Sequence, residues 1–347
     1  MIMQNKSFSI SRQNGLTMVE IMVALVVSLV LIGGIIQVFS SSKLSYNVQE
    51  AMSRLQEDAR LAVNFLEKDI RSANMLGCAK DTIYRSSLNS ATNYPWNFQT
   101  GIQGYESQGS GTWSPALDAG AGVNSPLANN NDIITLRVAR GTGVRTTANM
   151  TDGTSVLQTA FMGTLSAGDV AMITDCTATT VFQITGTGGS SPNLTIQHGV
   201  AAPSGNSPGN NSADLGRAFA MGATLFPVET ATYFLRDSGD GPVLWRRIGA
   251  ENAQQLVEGV ESMEILYGVD ATGADGRADQ YLSANAVTDW NAVVSIRIGL
   301  LMRTLNEINP ETDTNVYNVN GVIVNPVDDR RIRRVITTTI ALRNRVS

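Results

Sequence analysis

Histidine and cysteine are nearly absent from this chain of 347 residues, which holds one of the first, His198, and two of the second, Cys78 and Cys176. One histidine and two cysteines cannot furnish a His-rich zinc site. His198, in "LTIQHGV", reads as the end of a strand. No nucleophile–base constellation, phosphate-binding loop or metal cluster is legible, so catalysis is not expected. Lysine is confined to positions 6, 43, 68 and 80, and the net charge is −5. Phosphate binding wants a basic surface, so a nucleic-acid partner is not expected either.

Glycine, at 32 residues, is plentiful, and Ser, Thr and Asn recur throughout. That composition favours strands joined by long loops. Hydrophobic residues make up 43% and charged residues 16%, as in an ordinary folded domain. The two cysteines are too few for a disulfide-built miniprotein. In an exported chain such a pair is expected to form a bridge, Cys78 to Cys176, with free thiols as the alternative.

The longest apolar run lies near the start. Residues 1–14 are polar and carry Lys6 and Arg12 with no acid; Gly15 follows, and then "LTMVEIMVALVVSLVLIGGIIQVF", Leu16 to Phe39. About 20 such residues suffice to cross a bilayer. The basic residues ahead of the span would stay cytoplasmic and place the rest of the chain outside. As a plain anchor, the segment leaves Glu20 unexplained, because a carboxylate in a membrane is costly unless paired. As a secretory signal, it is too long and lacks an A-x-A-like cleavage site.

The stretch "G|LTMVE" resembles the processing site of type IV prepilins: a short basic leader ending in Gly15, a cut before Leu16, and Glu20 as the fifth mature residue. The family's first mature residue is usually Phe; here it is Leu16. The resemblance implies that prepilin peptidase cuts after Gly15 and that the new amine on Leu16 is methylated. It also implies that Glu20 meets an N-terminal amine during assembly. Leu16 and Glu20 are four apart and so share a helix face.

An apolar stripe continues as Leu44, Val48, Met52, Leu55, Ala59, Ala62, Leu66 and Ile70. This spacing predicts one helix over 16–74, capped near Gly77, with bending or local melting at Gly33-Gly34. Residues 81–130 read as loop, with Tyr94, Trp96 and Trp113 docking on a sheet. Beyond them, strands are expected at 132–140, 169–173, 180–185, 193–198, 224–236 and 243–248. The segment 201–216 reads as a surface loop or divider, and "DSGDG" (237–241) as a turn.

The last hundred residues alternate strongly. "LVEGVESMEILYGVD" puts Met263, Ile265, Tyr267 and Val269 on one face, and "NAVVSIRIGLLMR" does the same with Val294, Ile296, Ile298, Leu300 and Met302. "RRIRRVITTTIALRNR" follows suit with Ile332, Ile336, Ile340 and Leu342. With the N-terminus, this set is similar to the PilW minor pilins and the related GspJ minor pseudopilins. The implied fold is α+β: a leader (1–15), a membrane and filament-core helix (16–39), its amphipathic continuation (40–75) and a β-rich head outside the inner membrane (76–347).

The resemblance implies a structural subunit of a type IV pilus that initiates assembly or forms part of its tip. Its partners would be major and minor pilins, prepilin peptidase and a large tip adhesin. A type II secretion pseudopilin, or an adhesin whose head binds a ligand or DNA, are the alternatives. Two local features are weighed beside it. The loop "GVDATGADGRADQY" offers Asp270, Asp275 and Asp279 for calcium around Gly276, but its spacing departs from an EF-hand, and a plain hairpin turn is the expected reading. Arg330, Arg331, Arg333 and Arg334 form a basic run, read as a solvated strand surface with local ion pairs.

Overall fold

A computed structural model describes residues 15, 17–73, 83–109, 111–123, 131–200, 208–272 and 275–342. The chain divides into two compact units, Met1–Ala51 and Met52–Ser347. One long helix, Met18–Ser72, opens the fold. It runs unbroken through Gly33 and Gly34, so the local melting expected there does not occur. Each glycine costs a helix only about 1 kcal/mol relative to alanine, too little to stop propagation through so long an apolar run.

In the first unit every described apolar side chain from Met18 to Phe39 is exposed, from 49% at Ile21 to 83% at Met18. The apolar surface runs all round the helix rather than along one stripe. Such a helix requires a bilayer or other helices about it. Among the described residues it is the one helix long and apolar enough to cross a membrane.

In the second unit the stripe Leu55, Ala59, Ala62, Leu66 and Ile70 is buried. The spacing of three and four keeps these residues on one side. They share a core with Ile134, Leu136, Tyr233 and Leu235 of one sheet and with Met263, Ile265, Ile298 and Ile340 of another. Each fully buried Leu or Ile contributes roughly 1.5–3 kcal/mol.

The larger sheet runs in the order Ile83–Ser86, Ala178–Gln183, Val170–Thr174, Thr224–Asp237, Ile133–Ala139, Ile102–Ser107 and Trp113–Ser114. Its long strand Thr224–Asp237 pairs with Val170–Thr174 through residues 224–227, then with Ile133–Ala139 from Val228 on. The strand Pro242–Ile248 also joins it, after the turn that "DSGDG" forms. Among the described residues only the first pair, Ile83–Ser86 with Ala178–Gln183, is parallel. The second sheet is antiparallel throughout, in the order Gln280–Leu282, Val260–Val269, Val293–Arg303, Arg333–Ala341. This is the expected α+β architecture of a long N-terminal helix and a largely antiparallel head.

Two segments differ from the sequence reading. Residues 81–130 are not all loop: they include the strands Ile83–Ser86, Ile102–Ser107 and Trp113–Ser114. Their Gly-, Ser- and Asn-rich composition hides the alternation, and pairing supplies what local propensity does not: Ile83–Ser86 with Ala178–Gln183, Ile102–Ser107 with Ile133–Ala139, and Trp113–Ser114 with Ile102–Ser107. The docking of their aromatics holds: Tyr94 is buried with its hydroxyl on Thr232, and the Trp113 indole donates to the Asn131 carbonyl at 3.0 Å. The described part of 201–216 is packed rather than superficial, since Asn210 and Leu215 are buried. Asn210 accepts from the Gln183 N–H at 2.7 Å and donates to its carbonyl at 2.8 Å. His198, just past the strand Asn193–Gln197, is buried with its ring nitrogens 2.9 Å from the carbonyls of Ala213 and Ser155.

Candidate assembly site at the helix start

The helix begins at a reciprocal cap. Thr17 precedes the first helical residue, and its Oγ1 accepts from the Glu20 N–H at 3.3 Å. Glu20 Oε2 in return accepts from the Thr17 N–H at 2.9 Å and from the Thr17 hydroxyl at 3.0 Å. This is a capping box, in which two otherwise unpaired helix-end donors are satisfied by each other's side chains. The carboxylate also sits at the helix end where the backbone dipole favours negative charge. The signal stands in the sequence as Thr17-Met18-Val19-Glu20, a T-x-x-E pattern ahead of an apolar run. A reading of Glu20 only as a membrane oddity passes over it.

These bonds use Oε2 and leave Oε1 outside the cap. Gly15, two residues ahead of the cap, is exposed. Leu16 lies outside the described residues. Cys78, the expected partner of Cys176, also lies outside them. Cys176 itself occupies a turn with φ of 70°, its N–H donating to Thr174 Oγ1 at 3.2 Å.

Each carboxylate of the acidic loop accepts from the loop's own backbone, while Asp270 Oδ1 is buried without a hydrogen-bond partner. Asp279 Oδ2 accepts from the N–H groups of Ala271 and Thr272, each at 2.8 Å, and from the Thr272 hydroxyl at 3.0 Å. Those bonds from Thr272 hold the Asp279 carboxyl below its ordinary range. Asp270 Oδ2 accepts from Gly276 N–H, and Asp275 Oδ1 from Arg277 N–H. These bonds tie Asp270 to Gly276 and Asp279 to Ala271 and Thr272.

The basic run is not uniformly solvated. Arg333 is buried, and its guanidinium meets Glu261 at 2.6 Å, Asp329 at 2.8 Å and Asp313 at 3.2 Å. Arg331 pairs with Asp329 at 3.2 Å and Arg330 with Glu307 at 3.5 Å. Reading Arg333 as surface therefore needs correction: three carboxylates, two of them distant in sequence, make its burial tolerable.

Two family profiles match the chain. Residues 10–36 match the prokaryotic N-terminal methylation motif. Residues 232–344 match PilW, the type IV pilus-assembly protein W. The first match contains Gly15 and the capping box; the second spans all four strands of the second sheet and much of the core beneath it. No curated protein matches the chain. Fold and motif together define a type IV pilus-related minor pilin, a structural class that works through other pilins and prepilin peptidase. Within that class, the PilW match covers 113 of the 347 residues and, with the methylation motif, supports a minor pilin of the PilW family.

Proposed function

We propose that prepilin peptidase cleaves the chain between Gly15 and Leu16, that the Leu16 amine is then N-methylated, and that the helix passes from the inner membrane into the core of a type IV pilus. The observation that carries this reading is the uniformly apolar, exposed surface of Met18–Phe39, opened by the Thr17–Glu20 cap. Such a surface suits a bilayer first and a bundle of like helices afterwards. Cleavage after Gly15 leaves the Thr17 N–H and hydroxyl intact, so the cap survives processing. Glu20 Oε1 is then available for the Leu16 amine of a neighbouring subunit.

The head initiates or terminates the filament, together with other minor pilins and a large adhesin at the tip. Its size and loops suit one end of a filament better than a densely repeated shaft. A Cys78–Cys176 bridge ties the segment after the helix to the larger sheet in the oxidising space outside the inner membrane. The test is immunogold labelling of sheared filaments with antibody to the head. The reading expects label at filament ends and fewer filaments when the gene is deleted. Label along the shaft, or filaments of normal number without the protein, would overturn the tip and initiation role.

A further inference from the structure

A second acidic group lies inside the second unit, on residues other than those of the loop at 270–279. Glu106 belongs to the strand Ile102–Ser107, and Asp132 immediately precedes Ile133–Ala139. The antiparallel register pairs Tyr105 with Ile133, which sets Glu106 opposite Asp132. The strand Val260–Val269 then meets this pair edge-on. Asp132 N–H donates to the Met263 carbonyl at 2.9 Å, and Ile265 N–H donates to Asp132 Oδ2 at 2.8 Å. One carboxylate oxygen each from Glu106, Asp132 and Glu264 lies within 4.8 Å of the other two. Asp132 is 2% exposed and Glu264 4%.

Three carboxylates so close and so dry need either protons or a compensating charge. What they receive from the protein is neutral: Ser107 N–H to Asp132 at 3.1 Å, Ala284 N–H to Glu106 at 3.2 Å, and the Ser262 hydroxyl to Glu264 at 3.3 Å. Among the described residues, none of the Arg–carboxylate pairs includes any of the three.

A separate observation points the same way. Tyr267 is wholly buried, and its hydroxyl has no hydrogen-bond partner. That hydroxyl lies against Gly104, where an added Cβ would come within 2.1 Å of it. Gly104 and Glu106 are two apart on one strand and so share a face. The hydroxyl is thus directed along the face that carries the acidic group, and the charges of Asp132 and Glu106, after burial, help raise its pKa. A buried hydroxyl without a partner is rare, and this one lies beside Gly104 on the strand face that carries Glu106.

We propose that Glu106, Asp132 and Glu264 bind one calcium ion, with the Tyr267 hydroxyl hydrogen-bonding to a water in its coordination shell. All the donors are hard oxygens, which select calcium or magnesium over zinc or copper. Oxygens about 2.3–2.6 Å from a common ion are spaced as these are, and calcium tolerates the irregular set that three differently oriented strands provide. Magnesium demands near-ideal octahedral geometry. The ion would join the larger sheet to the second one at a point where no side-chain cation does.

The test is equilibrium dialysis of the full-length, detergent-solubilised protein against calcium, with magnesium as comparison. One calcium per chain is expected, with a Kd at or below about 1 mM, in the range of extracellular calcium modules. Glu106→Gln and Glu264→Gln should weaken it at least about tenfold, while Asp270→Asn and Asp279→Asn leave it unchanged. Glu106 is the least buried of the three, so Glu106→Gln decides if the Glu264 variant does not fold. No saturable binding up to about 10 mM, well above that range, would overturn the site. So would binding that persists in Glu106→Gln or that disappears in Asp270→Asn.

Discussion

Thr17 and Glu20 cap each other: the threonine hydroxyl takes the Glu20 N–H, and the Glu20 carboxylate takes the Thr17 N–H at 2.9 Å. The carboxylate therefore has a structural partner within its own chain before any neighbouring subunit arrives. Helix capping and the proposed charge pairing with an amine fall on one position, and they can be separated. Glu20→Gln keeps an oxygen that can accept the Thr17 N–H but removes the charge. Glu20→Ala removes both.

The expected outcome is that both variants are cleaved largely as the parent is, and that both enter filaments poorly. Quantitative blotting of sheared filaments against total membrane protein measures it. Glu20→Gln incorporated at the parental level would show that the cap, not the charge, is what the position supplies.

The second half of the helix is tied to the larger sheet by an ionic contact as well as by its apolar stripe. Asp69 is 1% exposed; Arg140 reaches its two oxygens at 2.5 and 3.0 Å, and the Tyr233 hydroxyl donates at 2.7 Å. Arg140 is also held by Glu229 at 2.6 Å. Asp69→Ala removes a buried carboxylate that Arg140 and Tyr233 share, while Arg140 keeps Glu229 and the Tyr233 hydroxyl keeps the Phe65 carbonyl, and is expected to destabilise the head by about 1–3 kcal/mol. Glu67→Ala, which removes an exposed pair with Arg71, should change stability by less than about 0.5 kcal/mol. Urea unfolding of the two variants in detergent makes the comparison. Equal midpoints would contradict the tether.

The acidic group in the head gives a pH dependence of unusual sign. Burial first, then the neighbouring carboxylates, push the pKa values of Asp132 and Glu264 up, and burial raises Glu106. Without a bound cation the folded state holds protons that the unfolded chain releases near pH 4. That contribution is complete below the unfolded value and is lost as pH rises through the raised folded ones. The lowered carboxylates Asp313 and Asp329 act in the opposite sense, but below about pH 4.

The melting temperature measured with chelator should therefore be lower at about pH 8 than at about pH 5.5, with a flatter profile in Glu264→Gln. Calcium should raise it more at the higher pH. A chelated protein as stable at the higher pH, or a slope unchanged by Glu264→Gln, would contradict the raised values.

How much of this was legible beforehand depended on whether the signal is local. The helix stripe from Leu55 to Ile70 and the alternation in 256–303 are periodic, and periodicity survives without knowledge of neighbours. The prepilin-like motif is likewise contiguous. The strands Ile83–Ser86 and Ile102–Ser107 were not legible, because their partners, not their own side chains, make them strands. Arg333 looked like surface for the same reason: Glu261 and Asp313 come to it from other segments. Glu106, Asp132 and Glu264 carry no shared motif, and only the pairing of three strands assembles them. The T-x-x-E cap was local and plain, but an apolar run draws attention to what a carboxylate costs in a membrane rather than to what it bonds.

The processing claim rests on one peptide bond. Mass spectrometry of the N-terminal peptide, taken from the protein in purified filaments, reads that bond directly. The account predicts a chain that begins with N-methylated Leu16. A filament-bound chain that still begins at Met1, or that begins at any residue other than Leu16, would contradict it.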